Sequence, residues 1–141
     1  GVIGLIIGLV LRSREARAGA FALILIAAAS AWPTLHYGQQ GYDRVKAMAD
    51  SEGQKWLEEH KHRGEQLIYV FYALGALALV SIAVEWKRPK AALLLAITTL
   101  VLATGALGVG GCIAYAGGHI RHKEFRFEPA PELRTEEQHE H

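Results

Sequence analysis

Between Glu65 and Glu85, and again between Lys90 and His119, the chain carries no charged side chain, first for 19 residues and then for 28. A hydrocarbon layer of about 30 Å is crossed by roughly 20 apolar residues in α-helix, at about 1.5 Å per residue. Both runs meet that length. A third, Ala18 to Leu35, is 18 residues long and ends in Trp32-Pro33, an interfacial aromatic followed by a helix stop. The pattern predicts an all-α integral membrane protein built as a four-helix bundle, with spans at about 1–12, 16–34, 64–86 and 90–117. The mean hydropathy of only +0.15 hides this, because charge is concentrated in the connections.

The first segment, Gly1–Leu11, gives only about 16 Å of helix before Arg12. It reads as a truncated span continued upstream, in preference to a half-span buried against the other helices. Its Gly4-Leu-Ile-Ile-Gly8 spacing offers a flat face to a neighbouring helix. Thr34–Asp50 reads as a loop with a short amphipathic piece. Ser51-Glu-Gly-Gln54 matches a capping box, from which one helix runs on to Trp86. The tail, 121–141, holds Pro129, Pro131 and clustered glutamates, and is expected to be extended or disordered.

Charge sets the expected orientation. The two short turns, around Arg12–Arg17 and Glu85–Lys90, hold 6 basic and 2 acidic residues, against 9 basic and 12 acidic in the long connection and tail. Positive turns stay inside. The expectation is a bacterial inner-membrane protein with the long loop and C-terminus in the periplasm. A net charge of +1 gives no reason to expect nucleic acid, and the single Cys112 supports neither a disulfide framework nor a thiolate metal site. No Ser/His/Asp set, phosphate loop or paired buried carboxylates occurs, so no enzymatic activity is expected.

The candidate chemistry lies in the histidines. All seven (His36, His60, His62, His119, His122, His139 and His141) fall on the expected outer side. An antiparallel third and fourth helix would bring His60 or His62 to the level of His119 or His122. A haem b between two helices needs an imidazole from each and small residues against the porphyrin. Gly64 follows His60 by one turn, and Gly108, Gly111, Tyr115, Gly118 and His122 form one stripe beside His119. As metal ligands the pair singled out is His60 with His119. The same features serve ordinary interfacial packing in many membrane helices. A zinc or copper site lacks the cysteine or aspartate to complete a tetrahedral set.

The Arg-rich turn, the following apolar span, Gly41-Tyr-Asp43, the histidine four residues before Gly64, and Gly110-Gly111-Cys-Ile-Ala-Tyr115 resemble a bacterial family. That family comprises four-helix predicted membrane proteins of unknown function, some with relatives joined to Rieske or cytochrome c modules. The resemblance covers about residues 1–120. It implies a bundle associated with membrane electron transfer, with His60 as the family's histidine; the histidine- and proline-containing start of the family's first helix is missing here. The expected role is an accessory or scaffolding subunit of a bacterial membrane electron-transfer or energy-transducing complex, with the lipid bilayer and other membrane subunits as partners. The alternative is a haem b-binding redox protein with two histidine ligands.

Overall fold

The computed structural model describes residues 1–132. It consists of α1 (Val2–Val10), α2 (Arg14–Ala29), α3 (Ala31–Met48), α4 (Ser51–Glu85), α5 (Pro89–His119) and a 3₁₀ turn at Lys123–Phe125, with no strand among the described residues. Three stretches are long and apolar enough to cross a membrane: Arg14–Met48, Ser51–Glu85 and Lys90–His119.

The expected loop at Thr34–Asp50 is helix as far as Met48. Pro33 does not stop the chain, because it falls in the first turn of α3, where backbone N–H groups have no intrahelical partner to lose. Ser30 alone separates α2 from α3, and its backbone is itself right-handed helical (φ −66°, ψ −15°). The two helices therefore follow one another without an intervening loop. The start of α4 also differs from the capping-box reading. Asp50, not Ser51, is the cap, its carboxylate accepting from Gly53 N at 2.8 Å. Gln54 turns instead to the carbonyls of Lys46 and Ala49, 3.2 and 3.3 Å away. From there α4 runs unbroken for 35 residues, about 50 Å, more than a bilayer requires. Its first 15 residues precede the uncharged run and pair with α3 as a helical hairpin.

The bundle is held by small residues. Ala92, Ala96, Thr99, Ala103, Ala106 and Ala116 are among the buried positions of α5, and Leu74, Ala78 and Ser81 among those of α4. In lipid there is little hydrophobic drive between helices, so close backbone approach and dispersion hold them together. The two helices are antiparallel along their whole length: Ser81 Oγ lies 3.2 Å from Thr99 Oγ1 near one end, and His60 lies against Gly117 near the other. Gly4 and Gly8 do receive a helix. A Cβ on Gly4 would stand 3.4 Å from Ala20 Cβ, and one on Gly8 only 2.8 Å from Arg17 N. So α1, with Leu5 fully buried, packs on α2 rather than standing apart. Facing outward are Leu23, Ile26, Leu79, Val80, Leu94, Val101 and Leu107, an apolar surface suited to acyl chains.

Candidate functional site

At the end of the bundle where α3 and α4 form their hairpin, a cap closes over α5. Gly53 sits so tightly that a Cβ would overlap the Ile120 carbonyl oxygen and lie 2.8 Å from Asp50 Oδ1. Arg126, almost fully buried, ties the knot. It donates to the carbonyls of His119 and Ile120, each at 2.8 Å, and to both oxygens of Asp50 at 2.9 and 3.0 Å. The Arg126 guanidinium, then the Gly53 N–H and Lys123, hold the Asp50 carboxyl well below the usual carboxylate range. The tail thus does not begin disordered: residues 123–126 are folded onto the cap, while His139 and His141 lie outside the described residues. Trp56, Leu57, Ala116 and Ile120 form the cap's apolar core, with Tyr42, Val45 and Ala49 packed on it.

The candidate histidines take different surroundings. His119 is 4% exposed and enclosed by Trp56 and Tyr115, ring centroids 4.6 and 4.2 Å away. Its Nδ1 donates to Tyr115 O at 2.6 Å, and its Nε2 is buried with no hydrogen-bond partner among the described residues. His60 lies one turn nearer the spans, its ring 3.1 Å from where a Gly117 Cβ would stand and its Nδ1 donating to Ile113 O at 2.9 Å. His122 is exposed and bonds Glu124. His62 is half-buried on α4. His36 stacks on Trp32 and bonds Gln40.

A cleft of about 540 Å³ opens between α2–α3, α4 and α5. Ala27, Ile68, Phe71 and Gly110 line it at the level of the spans, and Gln39, Tyr42, His60 and Lys61 at the level of the cap, with Gly64 between. Of the histidines singled out in the sequence, His60 alone lines it. His119 does not line it, its ring being enclosed by Trp56 and Tyr115. Nor is there, among the described residues, a group of three metal-ligating side chains. Within the stripe only Tyr115 meets α4, its ring edge-on to Trp56 with centroids 6.0 Å apart, whereas a Cβ on Gly108, Gly111 or Gly118 would have no neighbour within 4 Å, and neither would one on Gly105.

Two features were not visible in the sequence reading. The first is the tail's anchor, Arg126. The second lies at the short-turn end, where Arg17 and Glu85, read as ordinary turn charges, are buried and paired: Arg17 Nε donates to Glu85 Oε1 at 3.1 Å and Nη2 to the same oxygen. Their signal was position, each being the first charge at the edge of an apolar run. Above them Ser81 bonds Leu77 O and Thr99, while Thr98 and Thr104 bond their own helix as threonines in lipid do. Comparison with family models, curated proteins and solved structures returns no match.

Proposed function

We propose that this protein is a small integral membrane subunit, accessory or scaffolding, of a bacterial membrane electron-transfer or energy-transducing complex, and that α5 is its contact with a neighbouring subunit. The observation that carries this reading is how the glycines divide. Gly4, Gly8, Gly53, Gly75 and Gly117 each accept an atom of another helix or of the tail within 4 Å of their missing Cβ. Gly105, Gly108 and Gly111, at three-residue spacing on α5, accept nothing within the molecule. A glycine inside a helix costs up to about 1 kcal/mol relative to alanine, and three on one exposed face give a flat strip for a second helix at close range. The orientation proposed is the one charge favours, with the cap in the periplasm and the Arg-rich turns in the cytoplasm.

The experiment is affinity purification from membranes under mild detergent. Gly105→Leu with Gly108→Leu should leave the fold intact and the thermal unfolding temperature no lower, since no internal neighbour is displaced, yet reduce recovery of co-purifying membrane subunits severalfold. Undiminished co-purification would remove this face from the assembly.

A further inference from the structure

The cleft between α3, α4 and α5 crosses the edge of the apolar layer. Glu65 is the last charge on α4 before the uncharged run. Of the lining residues, Phe71 lies about 9 Å of helix below it and Lys61 about 6 Å above, within the roughly 5–8 Å that head groups add on each side of the hydrocarbon. The lower end, with Ala27, Ile68, Phe71 and Gly110, is apolar. Along the cleft the polar side chains find partners within the protein, with one exception. Ser30 donates to Ala27 O, Thr34 to Ser30 O, Gln39 to Glu65, the Tyr42 hydroxyl to Glu58, and His60 Nδ1 to Ile113 O. The half-buried Lys61 ammonium has neither a hydrogen bond nor an ion pair among the described residues. Glu58 and Glu65, three residues before it and four after, are the neighbours that would ordinarily pair with it, and they accept from Tyr42 and Gln39 instead. The ammonium lies 5.0 Å from the Tyr42 ring centroid, and that of Lys46, likewise without an ion pair among the described residues, lies 5.6 Å from the same centroid. Two cations converge on one ring, and neither has a counter-ion.

We propose that this cleft holds an anionic phospholipid, with an acyl chain along Ile68 and Phe71 and the phosphate against the Lys61 ammonium. An ion pair at the edge of a low-dielectric layer is stronger than one in water, and a phosphate oxygen makes a charge-assisted hydrogen bond to the ammonium. The anions native to head-group depth are lipid phosphates, which basic pockets between membrane helices bind. An apolar chain ending in a hydroxyl would leave the ammonium without a counter-charge, so the selection lies in the charge and not in the chain. The volume of about 540 Å³ falls within the roughly 300–1,000 Å³ typical of small-molecule sites. The inference rests on insertion of the chain in a bilayer and not on what the glycine face of α5 contacts.

The test is competition binding to the purified full chain in a neutral detergent, with radiolabelled dioleoylphosphatidylglycerol as the probe. The probe should bind saturably. Dioleoylglycerol, which has the chains and no phosphate, should compete about tenfold more weakly than unlabelled phosphatidylglycerol, the worth of one charge-assisted hydrogen bond. Dioleoylphosphatidylcholine, which brings its own cation to the phosphate, should compete severalfold more weakly. Glycerol phosphate, without chains, should not displace the probe at equal concentration. Lys61→Met should lower phosphatidylglycerol to the level of dioleoylglycerol, and Lys61→Arg should retain the difference between them. Lys87→Met, exposed at the opposite end, should change nothing. Gly110→Leu should weaken both lipids alike, because a Cβ there stands an ordinary 3.9 Å from Phe71 Cζ while the rest of the side chain fills the cleft. Equal competition by dioleoylglycerol and phosphatidylglycerol would overturn the Lys61 assignment without any variant. Equal competition by phosphatidylcholine would overturn the selection for net negative charge. Displacement by glycerol phosphate would reduce the site to one for a free anion, and stronger displacement by oleate would replace the phospholipid by a fatty acid. A loss in Lys87→Met as large as in Lys61→Met would reduce the binding to general attraction between charges. Unchanged affinity in Gly110→Leu would place the lipid outside the cleft.

Discussion

Gly53 carries no side chain because the Ile120 carbonyl and the Asp50 carboxylate already occupy the space where one would go. Gly53→Ala should therefore cost about 1–3 kcal/mol, the range for forcing a methyl into a packed site. Gly105→Ala, with open space around it, should be neutral or stabilising by up to about 1 kcal/mol. Thermal unfolding in detergent compares the two. Asp50 gives the cap a pH dependence of known sign. Its carboxyl is depressed by Arg126, so its contribution is present above the ordinary value of 3.8 and is lost as pH falls from there toward the folded value. Protection of the amides at residues 125–127 against exchange, relative to the free chain at the same pH, should fall below about pH 4, and Asp50→Asn should lower it at neutral pH as well. At this scale the sequence marked His60 and Gly64 by their spacing. It could not mark Arg126, whose partner Asp50 is 76 residues away and joined to it only by the antiparallel return of α5.

At the scale of the elements, the helices followed from charge-free runs and their faces did not. A run without charge says that a helix meets lipid, but on an α5 that is apolar all round it does not say which side meets α4. The glycine stripe drew attention because it was periodic; the alanine seam, Ala92, Ala96, Ala103 and Ala106, is the one that packs. Pro33 misled for a related reason, since a proline ends a helix from within but is welcome in its first turn, and Ser30 restarts the helix beforehand. The Arg17–Glu85 pair joins α2 to α4 where both leave the apolar layer. Removing either partner leaves a buried charge uncompensated, so Arg17→Met and Glu85→Leu should each cost about 3–5 kcal/mol. The double variant should recover most of that loss. Simple addition of the two losses, measured by thermal unfolding in the same micelle, would show that the residues act independently.

For the whole molecule, one arrangement follows from these parts: an apolar bundle, positive turns at one end, and at the other a helical hairpin closed by the tail, with a cleft reaching from cap to spans. The bundle and its two ends were legible because a membrane sorts residues more strictly than water does. The cleft was not, since it depends on α3 continuing as helix past Leu35 and carrying Gln39 and Tyr42 up beside His60 and Lys61. The central claim, that the chain threads the bilayer with cap and cleft on the outer side, is tested most directly by cysteine accessibility. In a Cys112→Ala background, a cysteine at Gln39, exposed on α3, should react with a membrane-impermeant maleimide in intact spheroplasts. A cysteine at Arg14, exposed at the opposite end, should react only after the membrane is opened. Labelling of Arg14→Cys but not Gln39→Cys in sealed cells would reverse the orientation, and equal labelling of both would contradict insertion across the membrane.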